Sequence, residues 1–501
     1  MPKTIKSLVT ILLFFVPSYV LPTLGFSACS EQKLSAPLST ADIETTVISG
    51  GWLFDSVSKQ RRRNSGILIQ GNKIVAVDVK NYSGRYSKVI QLRDDQTILP
   101  GFIDLHAHYS LDFFYEGRVD EAHYNGLIYL ANGVTSTWSA GEMNPQRIID
   151  QRNKIQAGEA IGPRLLSSGP YFGGFRCEYD VKIAEDDCIA WPNDITDNEI
   201  RQEVDYWAST GISSIKIKQS TPHETNIIID QAKKHGLTTA GHLANYLVEY
   251  DVSTREAIML GMDRIEHQLL LALSPEEADP DELAEIIQLM IDKQVYYDPN
   301  LQMYGSVNLR QKHIENMVWT DEAKYFTPYA RGLLEARGAP PPESDWAEYH
   351  QRVIELLELY RAGGANLIVT GTDEPVYTTL LAGFAYHREL FALVDAGLPS
   401  AVVLKAGTIN GAKALGIDHL VGTIEPGKLA DIIIVNGNPL DDITAARDIA
   451  HVISNGFAHD PDALLKSAEN RIGPRNANDH EFWMLEIPPL RRKQASSNNP
   501  M

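Results

Sequence analysis

Two histidines close the apolar run Leu99-Pro100-Gly101-Phe102-Ile103-Asp104-Leu105-His106-Ala107-His108, at positions i and i+2. Side chains alternate along a strand, so on a strand both imidazoles point the same way. Two neutral imidazoles on one face suit a borderline-soft divalent cation; an ordinary pair of surface histidines is the competing account. Three further donors stand where short β-branched runs end. His242 follows Leu237-Thr238-Thr239-Ala240-Gly241, His267 follows Asp263-Arg264-Ile265-Glu266, and Asp373 follows Leu367-Ile368-Val369-Thr370-Gly371-Thr372. Taken singly, His242 or His267 could be a hydrogen-bonded core residue and Asp373 a helix N-cap. As a set, four histidines and one aspartate at the same end of four candidate strands are poorly explained by chance. Lys216 lies inside Ile215-Lys216-Ile217, where an ammonium is costly to bury unless it is paired or neutralised. A lysine carbamate would be an anion with two oxygens, able to bridge two cations; an ion pair, with Asp373 as partner, is the simpler alternative. Lys218 has the same parity, so either lysine could face inward.

The elements that must position these groups alternate between short β-branched runs and helical segments. The strand candidates are Gln96 to Ile103, Gly133 to Thr137, Arg164 to Ser168, Ile212 to Lys218, Thr238 to Leu243, Asp263 to His267, Lys293 to Tyr297 and Ala365 to Thr370. Helix candidates include Asn198 to Thr210, Pro222 to His235, Ser253 to Leu260, Ala278 to Ile291 and Asp345 to Ala362. That alternation predicts an α/β fold, a (β/α)8 TIM barrel over residues 97–419, whose active site lies at the C-terminal ends of its strands. Hairpin-like runs near Thr46 to Ser49, Gly66 to Ile69 and Lys73 to Val77, and a buried-looking strand Asp431 to Val435, predict a small β-sandwich domain from both chain ends, residues 45–96 and 420–470. Leu301 to Pro342 is extra material expected to overhang the barrel mouth. Residues 471–501 form a polar extension, expected to be partly disordered.

The first 28 residues read as a secretory signal peptide: Lys3 and Lys6, then the apolar run Leu8 to Val16, then Ser27 and Ala28. A membrane anchor fits less well, because the run is short and Pro17 and Pro22 interrupt it. Phe26-Ser27-Ala28-Cys29 resembles a bacterial lipobox, which predicts lipidation of Cys29, a tether over residues 29–44, and a periplasmic or outer-membrane-anchored location; plain secretion is the alternative. The remaining cysteines, Cys177 and Cys188, could form a local disulfide in an oxidising compartment or stay free. The 501 residues are 44% hydrophobic and 22% charged, enough for a barrel with an attached domain. The formal charge is −20, and removal of residues 1–28, which hold two lysines and no acid, leaves −22. With no basic stripe either, nucleic acid is not expected as a partner.

Together these segments resemble the amidohydrolase superfamily, in the branch of imidazolonepropionases and Xaa-Pro dipeptidase-like enzymes. The resemblance runs from about Val47 to about Ser454. It rests on Pro100 to His108, Gly133 to Thr137, Gly211 to Ile217 and Gly371-Thr372-Asp373, and on the closing runs Gly407 to Gly416 and Gly422 to Asp431. It implies two divalent ions, zinc by the family's habit. His106, His108 and Asp373 would hold the more buried ion, His242 and His267 the second, and a carboxylated Lys216 would bridge them. It further implies that a shared hydroxide attacks a carbonyl carbon while Asp373 moves the proton to the leaving amine. Deaminase-like members often carry a glutamate three positions after the strand-five histidine; here His242-Leu243-Ala244-Asn245 offers Asn, which cannot shuttle a proton. The expectation is therefore a metal-dependent hydrolase of an amide bond in a small peptide or N-acyl amino acid. Hydrolysis of a cyclic amide, lactone or ester is the alternative, and a metal-free binding module the competing class. Tyr109, Trp138, Tyr171, Arg176 and Tyr296 are the candidate substrate contacts, with Phe172 and Tyr304 on nearby loops. A homo-oligomer is compatible with the sequence.

Overall fold

The computed structural model describes residues 44–479, apart from 81, 83, 85, 113–117, 143, 174–194, 244–250, 273, 306–321, 338–345 and 376–380. The signal peptide, Cys29, Arg176, Cys177, Cys188 and Asn245 lie outside the described residues.

The barrel can be followed as a closed ring of parallel pairings. Phe102–Ala107 pairs with Val134–Ser139, which pairs with Arg164–Ser167. The Ser213 amide donates to the Ser167 carbonyl at 2.9 Å and leads into Ser214–Lys218. From there the ladder continues through Thr238–His242, Arg264–Glu266 and Tyr296–Asp298. Residues 367–370 close the ring through a few hydrogen bonds rather than a full ladder: Tyr297 N to Leu367 O at 2.8 Å and Val369 N to Tyr297 O at 3.0 Å on one side, Leu105 N to Thr370 O at 3.0 Å on the other. The first, second and fourth of these strands are buried at every residue, as parallel barrel strands covered on both faces must be. Several outer helices start at capping boxes, in which the N-cap hydroxyl and the N3 glutamate satisfy each other's backbone donors. These are Thr196 with Glu199, Thr221 with Glu224 and Ser253 with Glu256.

The expected first strand, Gln96 to Ile103, is in fact parts of two. Gln96–Pro100 runs antiparallel to Ile432–Asn436 in a six-stranded sheet, and the barrel strand starts at Phe102. Apolar character continues through the junction because both halves are buried, so hydropathy carries no mark of the turn at Gly101. The seventh strand likewise starts later than expected, since Lys293 ends the helix Pro280–Lys293. The six-stranded sheet and a four-stranded one enclose their own core, including Ile48, Ile67, Ile69, Ile98, Ile432, Ile434 and Ile453. The polar extension does not leave the fold at residue 471. Thr327 N donates to Ile472 O at 2.8 Å, Gly473 N donates to Glu121 at 3.0 Å, and Ile472 is fully buried with Tyr325 and Phe326.

Gly133 joins the first barrel helix, Ala122–Ala131, to the second strand at φ 80°. A Cβ there would stand 2.8 Å from Ile449 and 3.2 Å from Ile433, both in the six-stranded sheet. Left-handed strain and overpacking therefore act together, and Gly133→Ala is expected to lower stability by about 3 kcal/mol. The shift of the urea unfolding midpoint measures this; a midpoint within error of the parent would refute it.

Candidate metal centre

The C-terminal ends of the barrel strands bring the predicted donors together. Asp373 is the hub: its Oδ1 lies 2.9 Å from His108 Nε2 and 3.2 Å from His106 Nε2, and its Oδ2 lies 3.8 Å from His267 Nε2. The His267 ring lies 4.0 Å from the His242 ring and 4.9 Å from that of His106, centroid to centroid. Asp104 sets this geometry from below. It accepts from the amides of His106 and Thr372 at 3.0 and 3.1 Å and from the Thr372 hydroxyl at 2.8 Å, tying the first strand to the segment that presents Asp373. His267 and Asp373 both take left-handed backbone conformations, at φ 68° and 54°. Such strain persists only where the surroundings impose it.

Burial decides the protonation of the cluster. It lowers His106 to about 4, with the charge of Lys216 adding to it, and holds His267 and His242 well below the ordinary imidazole range. For His242 the neighbours His267, Lys218 and Lys216 push the same way. The imidazoles are thus neutral and keep a lone pair for a ligand. Burial alone would raise Asp373, but the facing histidines hold its carboxyl well below the carboxylate range. Asp104, more desolvated and bonded only to neutral donors, is pushed up to about 7.

The donor set fits a divalent cation. One ligand atom each of His106, His267 and Asp373 lies within 4.8 Å of the others, all three residues being buried. The buried Nδ1 atoms of His106 and His267 and both carboxylate oxygens of Asp298 have no hydrogen-bond partner. Lone pairs thus converge here beyond what the protein's own donors satisfy.

Lys216 is the lysine that reaches the cluster: its Nζ lies 3.3 Å from His106 Nε2 and pairs with Glu266. The ion-pair alternative therefore holds with a different partner than expected, Glu266 in place of Asp373. On its other side Glu266 accepts from Arg264 at 3.1 Å, and the Arg264 guanidinium stacks on Trp138 with 4.3 Å to the ring centroid. Sequence reasoning missed Glu266, Arg264 and Asp298. Asp298 left one usable signal, a carboxylate at the C-terminal end of the seventh strand.

The expected substrate contacts divide. Trp138 is fully buried and fills the barrel beneath the cluster. Tyr109 is fully buried with its hydroxyl 2.6 Å from Thr137. Tyr296 opens its strand, so it sits at the barrel's other end, near Asp263 and Asp418. Tyr171 stands half-buried beside the mouth end of the fourth strand, next to Lys218, while Phe172 is fully buried. Tyr304 meets the His267 ring edge-on at 5.8 Å and is backed by Arg352 at 3.4 Å from its ring centroid. Of the other histidines, His123 is exposed on its helix, and His387 donates to the Asn132 carbonyl at 2.9 Å away from the cluster.

Comparison with known proteins agrees with this architecture. An imidazolonepropionase from Geobacillus kaustophilus is 26% identical over 286 residues, covering 46% of this chain and 64% of that protein. A 5-methylthioadenosine/S-adenosylhomocysteine deaminase from Teredinibacter turnerae is 28% identical over 141 residues, 27% of this chain and 29% of its own. The chain thus matches less than two thirds of the length of either relative. A solved Xaa-Pro dipeptidase with bound methionine superposes with TM-score 0.65 at 24% identity, over 83% of this chain and all of that one. Aspergillus niger ochratoxinase does so with TM-score 0.61 at 19% identity, over 86% and 99%. At such identities the likeness speaks for the fold. The amidohydrolase family model matches residues 97–458, spanning every donor in the cluster, and the chain belongs to the amidohydrolase family, whose members are hydrolases that usually bind divalent metals.

Proposed function

We propose that this protein is a metal-dependent hydrolase of the C–N bond in a small peptide or N-acyl amino acid. The observation that carries the proposal is the shared carboxylate of Asp373, set between His106, His108 and His267, with Lys216 within reach of the same centre. His106, His108 and Asp373 would hold one ion and His242 and His267 a second, with Lys216, carboxylated, between them; zinc suits the nitrogen-rich set. When bound, the two ions would supply water activated near neutral pH and polarise the carbonyl. Asp373, ionised at rest, would take a proton from the water that adds to the carbonyl carbon and return it to the nitrogen as the C–N bond breaks. Tyr171 and Tyr304 flank the approach.

Asn245 favours amide cleavage over deamination, because its amide cannot shuttle a proton, and the fold likeness to an Xaa-Pro dipeptidase points the same way. The imidazolonepropionase match supports a second reading, hydrolysis of a cyclic amide, lactone or ester at the same centre. The leader and Phe26-Ser27-Ala28-Cys29 support an extracytoplasmic, lipid-anchored enzyme; among the described residues no helix is long and apolar enough to cross a membrane. Full-length protein reconstituted with zinc, assayed against dipeptides, N-acyl amino acids, lactones and adenine nucleosides, tests the proposal. The expected result is metal-dependent release of a free amine. Ammonia from a nucleoside with no other turnover, or less than one metal per chain after reconstitution, would overturn it.

A further inference from the structure

The strand that carries Lys216 carries a second lysine at its mouth end. Ser214–Lys218 is buried throughout, and its two lysines share one face by parity. Lys216 reaches His106 and Glu266. Lys218 stands two residues further toward the mouth, about 6.6 Å along the strand, and in the register with the fifth strand it lies directly across from His242. It is 8% exposed, with its ammonium 5.9 Å from the centroid of the Tyr171 ring. The backbone here has no freedom to swing. Gly173 approaches so closely that a Cβ would stand 2.2 Å from the Lys218 carbonyl oxygen, and the chain leaves the strand through Gln219 at φ 54°. The backbone that carries this cation is thereby fixed, on a strand rather than on a loop.

We propose that Lys218 is a specificity-determining residue that selects substrates with a carboxylate on the carbon bearing the scissile nitrogen, with Tyr171 alongside. The spacing suits that class. From the scissile carbonyl carbon to such a carboxylate is about 3.5 Å, and a charge-assisted N–H···O contact adds about 2.8 Å. Together they match the step from Lys216, level with the reacting centre, to Lys218. A lysine placed there rewards a free C-terminal residue and gives nothing to an internal peptide bond or a neutral amide. The proposal rests on the function above and adds to it the residue that would recognise the free carboxylate, which sets a C-terminal residue apart from an internal peptide bond.

The test uses zinc-reconstituted full-length protein and pairs of probes that differ only in the carboxylate: N-acetyl amino acids and the N-acetyl amines left by their decarboxylation. Amine release gives kcat and KM, and calorimetry gives Kd. The wild-type protein is expected to prefer the acid by about 10- to 100-fold, the range of a hydrogen-bonded charge. Lys218→Met and Lys218→Gln should each lower kcat/KM on the acid by about 30-fold, mainly through KM, and change the amine probe less than threefold at unchanged metal content. Lys218→Arg should keep part of the preference. Equal losses on both probes, loss of metal, or a wild-type protein that does not bind the acid better than the amine would each overturn the proposal. Acid-selective binding that depends on Lys218 without turnover would uphold the lysine's role and overturn amide hydrolysis.

Discussion

Replacement of Asp373 with Asn is expected to lower kcat about 10³- to 10⁴-fold, the upper range for loss of a group that moves a proton in the transition state. Asn is the informative substitute for two reasons. It tolerates the left-handed backbone that Asp373 adopts at φ 54° better than Ala would, and it can still accept from His106 and His108 through its carbonyl oxygen. What it cannot do is carry the proton or the negative charge. The facing histidines hold the native carboxyl ionised in spite of its burial, so the variant removes a charge, and metal occupancy must be measured beside the rate. The expected pattern is a retained thermal transition, metal content reduced by no more than half, and a collapse of kcat. A kcat within tenfold of the parent would remove Asp373 from the proton path.

Lys216→Ala is expected to reduce bound metal from about two ions per chain to about one and to lower kcat/KM by about 10²- to 10³-fold, the few kcal/mol that a second Lewis acid contributes. The same change has a second effect, visible without metal. Lys216 pairs with Glu266, and its removal leaves that buried carboxylate with Arg264 as its partner. Breaking such a pair costs about 3 kcal/mol in the metal-free protein. Lys216→Ala combined with Glu266→Gln separates the two roles: it should recover most of the lost stability in urea while metal content stays near one. If the double variant binds two ions and turns over substrate, Lys216 is only half of an ion pair. Retained metal content and activity in Lys216→Ala would pass the bridging role to Lys218, which stands two residues nearer the mouth, or to neither lysine.

That the residues of this cluster would meet was legible in the sequence because a barrel strand announces its own end. A β-branched run stops, and whatever polar residue stands there faces the mouth. His106, His108, His242, His267 and Asp373 all fit that rule, and Lys216 stood out by being charged inside an apolar run. Glu266 did not stand out, for a definite reason. Alternation assigns adjacent residues to opposite faces, yet Glu266 and His267 both reach the centre, because His267 leaves strand geometry at φ 68°. Trp138 and Tyr296 were misplaced for another reason. Parity tells which way a side chain points but not how deep it lies. Trp138 does point inward, but into a layer below the histidine cluster, where it carries Arg264. Tyr296 was placed at the mouth from a strand assumed to begin at Lys293; the strand begins at Tyr296 itself, which puts this residue at the opposite end. The five helices named from the sequence were placed to within two residues, four of them starting at a capping box or an N1 proline, which are local signals; others, such as Ala122–Ala131 and Phe384–Asp395, were not named.

The pairing of Gln96–Pro100 with Ile432–Asn436 has a consequence for how the chain is made. On the ribosome, the first of these strands emerges with its partner's hydrogen-bonding edge still hundreds of residues from synthesis, and it must wait through the whole barrel. Ile472 comes later still, and Tyr325 and Phe326 wait for it. Contacts this distant in sequence close slowly and leave apolar edges open to other chains meanwhile. Production of this protein should therefore benefit from slow translation and from chaperones that shield the early strands, and nascent chains halted before residue 432 should be the ones that aggregate.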